Sequence, residues 1–473
     1  MNLDATAGEA DTISTLHAQM TNSGAGSDDG IVIVGGGIMG MYLAYKLRQE
    51  GKSVTILESS ASSGGLACPD HIGDYVWDRF YHVILMSDLN TRGLIEDLGL
   101  ADKLQWGTTR TGFYVDGRFY SMSDSIEFLR FPPLSLIDKL RLGATIFFAA
   151  RIRNWRRLEK VLAVDWLTRW SGKSVVEKIW LPLLRSKLGD NATRASAAFI
   201  WTTIARMYAA RRSGIKREMF GYVDGGYDAV LTAMQQRLDE LGVETIVNAR
   251  VERVIDSGAG VTVHYNGSES RKFGNAVLTV PTPIVTRLCE QLTPDEVARL
   301  NGVTYQGIAC ASVLLRKPLG PYYVTNITDR VPFTGVIEMT ALVDRANFGG
   351  NALVYLPRYL TQQDEFWNKT DDEIEELFVS TLDRMYPEFE REDVLSFNVS
   401  RARNVLAVST LEYSDTWLPP VRTSMPHVFT VNSAQIASGT LNVNETLGIV
   451  DSKFAELTEA LRENSIRLAG TQE

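Results

Sequence analysis

Residues 31–66 read IVIVGGGIMGMYLAYKLRQEGKSVTILESSASSGGL, and the order of chemistry along them decides the fold. Ile31–Val34 is a continuous apolar, β-branched run, which predicts a buried parallel strand. Gly35-x-Gly37-x-x-Gly40 follows at once and opens an apolar helical segment from Ile38 to about Glu50, with Gly51 where a helix C-cap is expected. Val54–Leu57 predicts a second buried strand, and it ends on Glu58. Gly35 permits a tight turn, Gly37 lets backbone approach a pyrophosphate, and Gly40 lets helix and strand pack closely. The first helical turn, with Ile38 and Met39, presents N–H groups that suit phosphate oxygens. Glu58 stands where a carboxylate accepts hydrogen bonds from ribose hydroxyls. A lone GxGxxG is weak, since glycine-rich turns are common. Here strand, helix, strand and terminal acid stand in order, so a crossover without a ligand is the minority reading.

A Gly64-Gly65 turn follows Glu58 within a few residues. This series resembles the flavin-containing amine oxidase superfamily, with its protoporphyrinogen oxidases, phytoene-type desaturases and, more distantly, UDP-galactopyranose mutases. The resemblance implies α/β and α+β architecture: a Rossmann-like FAD-binding domain with an inserted mixed sheet-plus-helix substrate domain. NAD at the first βαβ unit is the competing reading, and the Gly-Gly turn favours FAD. In the superfamily that turn lets backbone pass close to the flavin's diphosphate and ribityl chain. Leu66 stands where many members carry Arg. Val251 matches the residue that holds the adenine through its backbone. Asn432-Ser433 replaces a Gly-Asp pair whose acid binds the ribityl chain, leaving Asn432 as an uncharged substitute. The N–H groups near Asn442 and Val443 would face the flavin pyrimidine and stabilise negative charge near N1–C2=O.

The 473 residues are enough for two domains. The resemblance divides them into a discontinuous FAD-binding domain (30–105, 218–283 and 396–462) and a substrate domain (106–217 and 284–395). A disordered leader, 1–29, and a tail, 463–473, complete the chain. The leader lacks the basic-then-apolar order of a secretory signal, and its acids Asp4, Glu9 and Asp11 disfavour a transit peptide. The net charge of −9 argues against nucleic-acid binding. Cys68, Cys289 and Cys310 are too widely spaced for a metal site or disulfide framework, which suits a reducing cytoplasm. No uninterrupted apolar run reaches the length of a membrane span.

Candidate substrate-side residues come from four places. The run DYVWDRFYHVIL (Asp74–Leu85) places Asp78, Arg79 and His82 among aromatics; in the superfamily this segment leads from cofactor to substrate cavity. His82 could donate to substrate or flavin, against the plainer reading of a packed core histidine, and Asp78 and Arg79 could simply pair with each other or with neighbours. Lys187, in PLL-x-x-K-x-G, could meet an anionic group, although a lysine at a helix end more often compensates the dipole. Tyr323 belongs to an aromatic set with Tyr322, Phe333, Tyr355 and Tyr359 that could wall a flavin-facing cavity. Leu134–Lys160 predicts one basic, aromatic, amphipathic helix, either buried on one face or lying on an anionic membrane as a peripheral contact. Trp166, Trp170 and Trp180 are expected in the core. Arg206, Arg211, Arg212, Lys216 and Arg217 form a second positive cluster. Together they point to a small-molecule or lipid-like anionic substrate.

The implied reaction is removal of hydride from a C–H bond of a large, partly apolar substrate, of oxidase or desaturase type. The alternatives are a redox-neutral flavin mutase or isomerase on a sugar nucleotide or lipid-linked substrate, and a non-enzymatic flavin-binding protein.

Overall fold

The computed structural model describes residues 30–211 and 219–470. The expected leader and the basic residues Arg212, Lys216 and Arg217 lie outside the described residues, as does the side chain of Arg211. The apolar run Ile31–Val34 becomes the middle strand of a five-stranded sheet. It pairs in parallel with Val54–Leu57 on one side and Asn275–Leu278 on the other. Glu244–Ile246 and Val428–Thr430 close the two edges, also in parallel. Val32 and Ile33 have no solvent exposure, which is why the strand reads as an unbroken apolar run rather than an alternating one. Helices Ile38–Gln49, Gly226–Glu240 and Val443–Gly470 bury one set of side chains against this sheet. An antiparallel three-stranded sheet, Val251–Asp256, Val261–Tyr265 and Glu269–Phe273, covers the other.

The second sheet is mixed and seven-stranded. Its order is Val394–Ala407, Tyr305–Leu315, Ala352–Leu360, Gly335–Glu338, Val324–Ile327, Thr111–Val115, Arg118–Ser121. The last two form a hairpin, and Asp116 and Gly117 both take positive φ (50° and 71°), as a two-residue turn of this kind requires. Tyr305–Leu315 is buried at every position because both faces are covered. Helix Asp371–Met385 packs on the outer face through Phe378. The inner face carries Tyr323, Ile337 and Tyr355. A helical layer between Ser125 and Arg211 closes around Leu142, Trp166, Leu167 and Trp180.

Several expectations are corrected. Strand Val394–Ala407 pairs with Tyr305–Leu315, so 396–407 lies in the mixed sheet rather than in the nucleotide-binding part. Conversely, Val285, Leu288 and Leu300 pack with Val32 and Val34, which places the two helices after residue 281 on the nucleotide side. Residues 463–470 are not a tail but the last turns of helix Val443–Gly470, and Asn464 is buried there against Asn275 and Pro426. The helix expected over 134–160 is shorter: it spans Leu136–Ala149, and Trp155–Lys160 forms a separate 3₁₀ turn. Trp170 is exposed rather than core. Gly172, at φ 86°, ends helix Ala163–Ser171, and a π-helical turn at Val176–Trp180 leads into Leu181–Leu188. Pro182 therefore sits in a first helical turn, where its missing N–H costs nothing.

The two parts are joined by a buried polar link. The Tyr355 hydroxyl, on the mixed sheet, donates to the main-chain oxygen of Asp78. Tyr355 has no solvent exposure, so neither group can turn to water. Tyr355→Phe leaves that carbonyl unpaired and should cost about 1–3 kcal/mol. In urea unfolding the midpoint should fall while the slope stays unchanged.

Candidate active site

The site begins with backbone rather than side chains. Gly35 turns at φ 109°, and a Cβ on Gly40 would fall 2.0 Å from the Gly35 carbonyl oxygen. Only glycine lets the helix start so close to the strand end. The Gly64-Gly65 turn then lies against this one: Gly64 N donates to Gly36 O at 2.8 Å, and a Cβ on Gly65 would be 3.0 Å from Gly37 Cα. Gly65 is exposed, and Gly35 and Gly37 are partly so. Two glycine turns thus form one strip bare of side chains along the carboxyl edge of the parallel sheet, where α/β sheets bind nucleotides. Ile38, Met39 and Gly40 supply the first N–H groups of the helix that leaves it.

Glu58 closes one end of the strip. Its Oε2 accepts from Gly36 N at 2.7 Å, and its Oε1 from Ser60 N at 2.8 Å. These bonds fix a buried carboxylate beside the first glycine turn, with lone pairs remaining for ribose hydroxyls. Val251 begins its strand and packs with Val34 and Leu57. On the same sheet edge Asn432 is fully buried: Oδ1 accepts from Ala434 N at 3.1 Å, while Nδ2 has no protein partner among the described residues. Asn432 is thus first a cap for the turn Ser433–Gln435. Asn442 caps helix Val443–Gly470 through Glu445 N, at 3.0 Å, leaving the N–H groups of its first turn, from Val443 on, at the site. The bare strip, the anchored acid, the orphaned Asn432 amide and this helix start all fit a flavin dinucleotide.

Leu66 leads from the strip to the substrate side. It is half-buried and packs with a cluster that contains Trp77, Phe80, Tyr81, Tyr323, Tyr355 and Tyr359. Where many members place a charged arm, this chain builds apolar wall. Asp78 organises the neighbourhood: its Oδ1 accepts from Tyr227 N, at 2.7 Å, at the start of helix Gly226–Glu240. A Cβ on Gly226 would lie 2.8 Å from that oxygen, so the glycine makes the cap possible. His82 Nδ1 lies 3.5 Å from Asp78 Oδ2, and its ring is 4.8 Å from that of Tyr227. Arg79 does not pair with Asp78; it turns away to Asp70, at 3.5 Å. Lys187 Nζ sits 5.6 Å over the Tyr359 ring, and the Tyr359 and Tyr81 hydroxyls are 2.9 Å apart. Among the described residues the Tyr323 hydroxyl and Trp77 Nε1 are buried without hydrogen-bond partners. Burial, reinforced for Tyr81 by Tyr359 and for Tyr323 by Asp78, holds both phenols far above their ordinary range, so they stay neutral donors.

The structure therefore sets Lys187 beside Tyr359 and places Tyr323 in the same aromatic cluster, puts His82 against Tyr227 and Asp78, and turns Arg79 to Asp70. Of the aromatic set, Phe333 instead packs on Phe378 across the sheet, 5.3 Å away, and Tyr322 lines a separate cavity. Arg206 is neutralised by Asp88, at 2.7 Å. Sequence reasoning missed Asp78 as a helix cap. The signal was present: Gly225 holds the N-cap position and has no side chain, so the cap had to come from elsewhere in the chain. Among the described residues no group of His, Cys, Asp and Glu is arranged to hold a metal ion.

Comparison with known proteins agrees with this geometry. Residues 38–439 match the family of flavin containing amine oxidoreductases. The chain is 24% identical over 303 residues to coproporphyrinogen III oxidase of Mycobacterium tuberculosis, covering 60% of this chain and 65% of that one. The match thus spans just under two thirds of that relative's length. An 85-residue stretch is 29% identical to protoporphyrinogen oxidase 2 of Arabidopsis thaliana, covering 18% of this chain and 17% of that one. The fold is similar to that of a putrescine oxidase crystallised with putrescine, with a TM-score of 0.69, 17% identity, and coverage of 93% of this chain and 99% of the other.

Gly40→Ala tests the cradle. The added methyl must displace the Gly35 turn, and flavin affinity should fall by about tenfold or more, read by fluorescence titration. Gly143→Ala, where a Cβ meets nothing within 4 Å, should leave it unchanged.

Proposed function

Because the chain belongs to the family of flavin containing amine oxidoreductases and is thus a flavin-dependent oxidoreductase, we propose that its flavin is FAD and that it takes hydride from a C–H bond of a large, partly apolar, anionic substrate. One observation carries this reading: Leu66, immediately after the bare glycine strip, opens into the aromatic cluster beside which Lys187 stands. Gly35, Gly37, Ile38, Met39, Gly40, Gly64 and Gly65 would hold the diphosphate through backbone. Glu58 and Val251 would hold the adenosine, and Asn432, Asn442 and Val443 the flavin end. When bound, FAD supplies the two-electron acceptor for the hydride.

The protein's own contribution is position and charge. The C–H bond breaks with its electron pair leaving on the hydrogen, so the substrate is oxidised by two electrons. Tyr81 and Tyr359, backed by the buried rings of Tyr323 and Tyr355, offer flat apolar surface that excludes water and aligns the reacting carbon. Lys187 meets a carboxylate on the substrate. His82, with Nδ1 turned to Asp78, presents its other nitrogen to take up a proton from the oxidised product. A reduced tetrapyrrole bearing carboxylates, the substrate class in the mycobacterial relative's name, meets each of these demands. Anaerobic mixing with coproporphyrinogen III should bleach the flavin's visible absorbance. Bleaching by aliphatic amines or NADPH, but by no porphyrinogen, would sink the assignment. Lys187→Ala should raise KM about tenfold with kcat little changed, as expected for lost uniform binding.

We further propose that residues 125–170 rest on an anionic membrane surface. Helix Leu136–Ala149 is packed inside out: Asp138, Lys139 and Thr145 are buried, while Leu136, Ile137, Leu140, Phe147 and Phe148 face solvent. The inversion is built in, since Asp138 closes a capping box with Ser135 and Lys139 Nζ donates to Leu129 O at 2.8 Å. Ile126, Leu129 and Trp170 extend the apolar surface, and the Trp170 ring lies 5.8 Å from Phe148. Arg130, Arg141, Arg151 and Arg153 are exposed along the same segment, the charge that acidic lipid headgroups attract. Among the described residues no helix is long and apolar enough to cross a membrane, so the contact is one that lies on the surface. Phe147→Asp with Phe148→Asp should cut cosedimentation with phosphatidylglycerol vesicles about tenfold or more while leaving Tm unchanged. Failure of the unaltered protein to bind such vesicles would remove the proposal.

A further inference from the structure

The outer face of the mixed sheet carries a cavity that the flavin chemistry does not use. It has a volume of about 330 Å³, within the range of small-molecule sites. Glu338 ends the strand Gly335–Glu338, where side chains alternate between the two faces. Ile337 packs inward with Tyr355, and Val336 packs outward with Phe378. Glu338 therefore points outward with Val336, away from the flavin side.

Its carboxylate lies at the base of the cavity and is 2% exposed. Oε2 accepts from Leu319 N at 3.0 Å and Oε1 from Thr340 Oγ1 at 2.8 Å. Both donors are neutral, and lone pairs remain on each oxygen. Among the described residues no cationic side chain lies within ion-pair distance of it. Arg345 acts only from farther off, and its guanidinium donates to the Gly350 carbonyl. At the mouth, Lys317 is taken by Asp393 at 3.0 Å, and Glu388 adds a further acid. Phe119, Tyr322, Tyr386 and Phe389 form aromatic walls, and three prolines stiffen the rim. Burial keeps the Tyr386 phenol neutral, and Arg110 sits behind Tyr322, 5.5 Å from its ring.

We propose that this cavity is a second ligand site, taking a small organic cation with N–H donors beside a flat apolar group. The cation would supply the counter-charge that buried Glu338 lacks, and the aromatic walls would hold both the ring and the charge. Desolvation pushes the Glu338 carboxyl up to about 7. Above that pH the empty site holds an unpaired buried carboxylate; below it the group carries a proton that an arriving cation must expel. Affinity therefore rises with pH through neutrality. The floor is also tied to the flavin side, because Glu338 N donates to Tyr323 O at 2.8 Å. The site would so report its occupancy to a residue of the oxidising cluster.

The test is calorimetric titration of the flavin-loaded protein with benzamidine, which has no amine C–H bond to be oxidised. Benzamide serves as its neutral counterpart. Benzamidine should bind at least about tenfold tighter than benzamide at pH ~8. At pH ~6, titration in buffers of different ionisation enthalpy should show nearly one proton released, and at pH ~8 almost none. Glu338→Gln should abolish the preference for the cation, and Tyr322→Ala should weaken binding in a chain whose carboxylate is intact. Equal binding to the unaltered and Glu338→Gln chains, no proton release, or no binding at all would each overturn the proposal. None of these outcomes depends on the identity of the flavin enzyme's substrate.

Discussion

The carboxylate of Asp78 caps a helix that has no cap of its own. Helix Gly226–Glu240 begins on two glycines, and Tyr227 N finds its acceptor only in Asp78 Oδ1. The same residue's carbonyl accepts from Tyr355, on the mixed sheet, and its second carboxylate oxygen faces His82. One buried acid thus orders a helix of the nucleotide-binding part, holds the mixed sheet against it and orients a substrate-side histidine. Asp78 is 3% exposed, so its bonds to Tyr227 N and the Tyr355 hydroxyl are made where water cannot substitute. The cofactor strip and the aromatic cluster meet in register because this residue joins their supports.

The nucleotide-binding part was legible because its signals are local. Ile31–Val34, the glycine turn, Val54–Leu57 and Glu58 lie within one short stretch, and each imposes its conformation through neighbours in sequence. What escaped depends on distant partners. Asp78 caps helix Gly226–Glu240 through Tyr227, 149 residues away, a bond its own stretch of sequence does not announce. The end of the mixed sheet was misplaced because pairing of Val394–Ala407 with Tyr305–Leu315 leaves no mark in either strand alone. The long helix over 134–160 was overextended because the apolar and basic residues suggested one amphipathic period. The true helix buries Asp138, Lys139 and Thr145 beside Leu142 and Ala149, leaves its larger apolar residues exposed, and stops at Ala149.

The same contrast governs the candidate site. Glycines could be assigned from sequence since the lack of a Cβ is itself the functional property. Lys187 and Tyr323 could be named but not placed, since their neighbours Tyr359 and Phe220 arrive through the tertiary fold. Asn432 was expected to reach the cofactor with its carboxamide; half of that group is spent on the backbone of its own turn. The mixed sheet, read only as a scaffold, proves two-faced. Its inner side is apolar and aromatic, and its outer side encloses a buried acid, Glu338, with no cation paired to it among the described residues.

The glycine strip has a consequence for how such a chain can change over generations. Recognition through main-chain N–H groups and missing β-carbons is indifferent to most side chains around it. A side chain beside the strip, such as the one at position 66, can then change without erasing the strip itself. The glycines themselves have no such latitude, because a single methyl on Gly40 would sit 2.0 Å from a carbonyl oxygen. The cofactor cradle is therefore frozen in backbone while its rim is free to drift. Diversity of substrate in such a chain is a drift of the rim, with the cradle carried along unaltered.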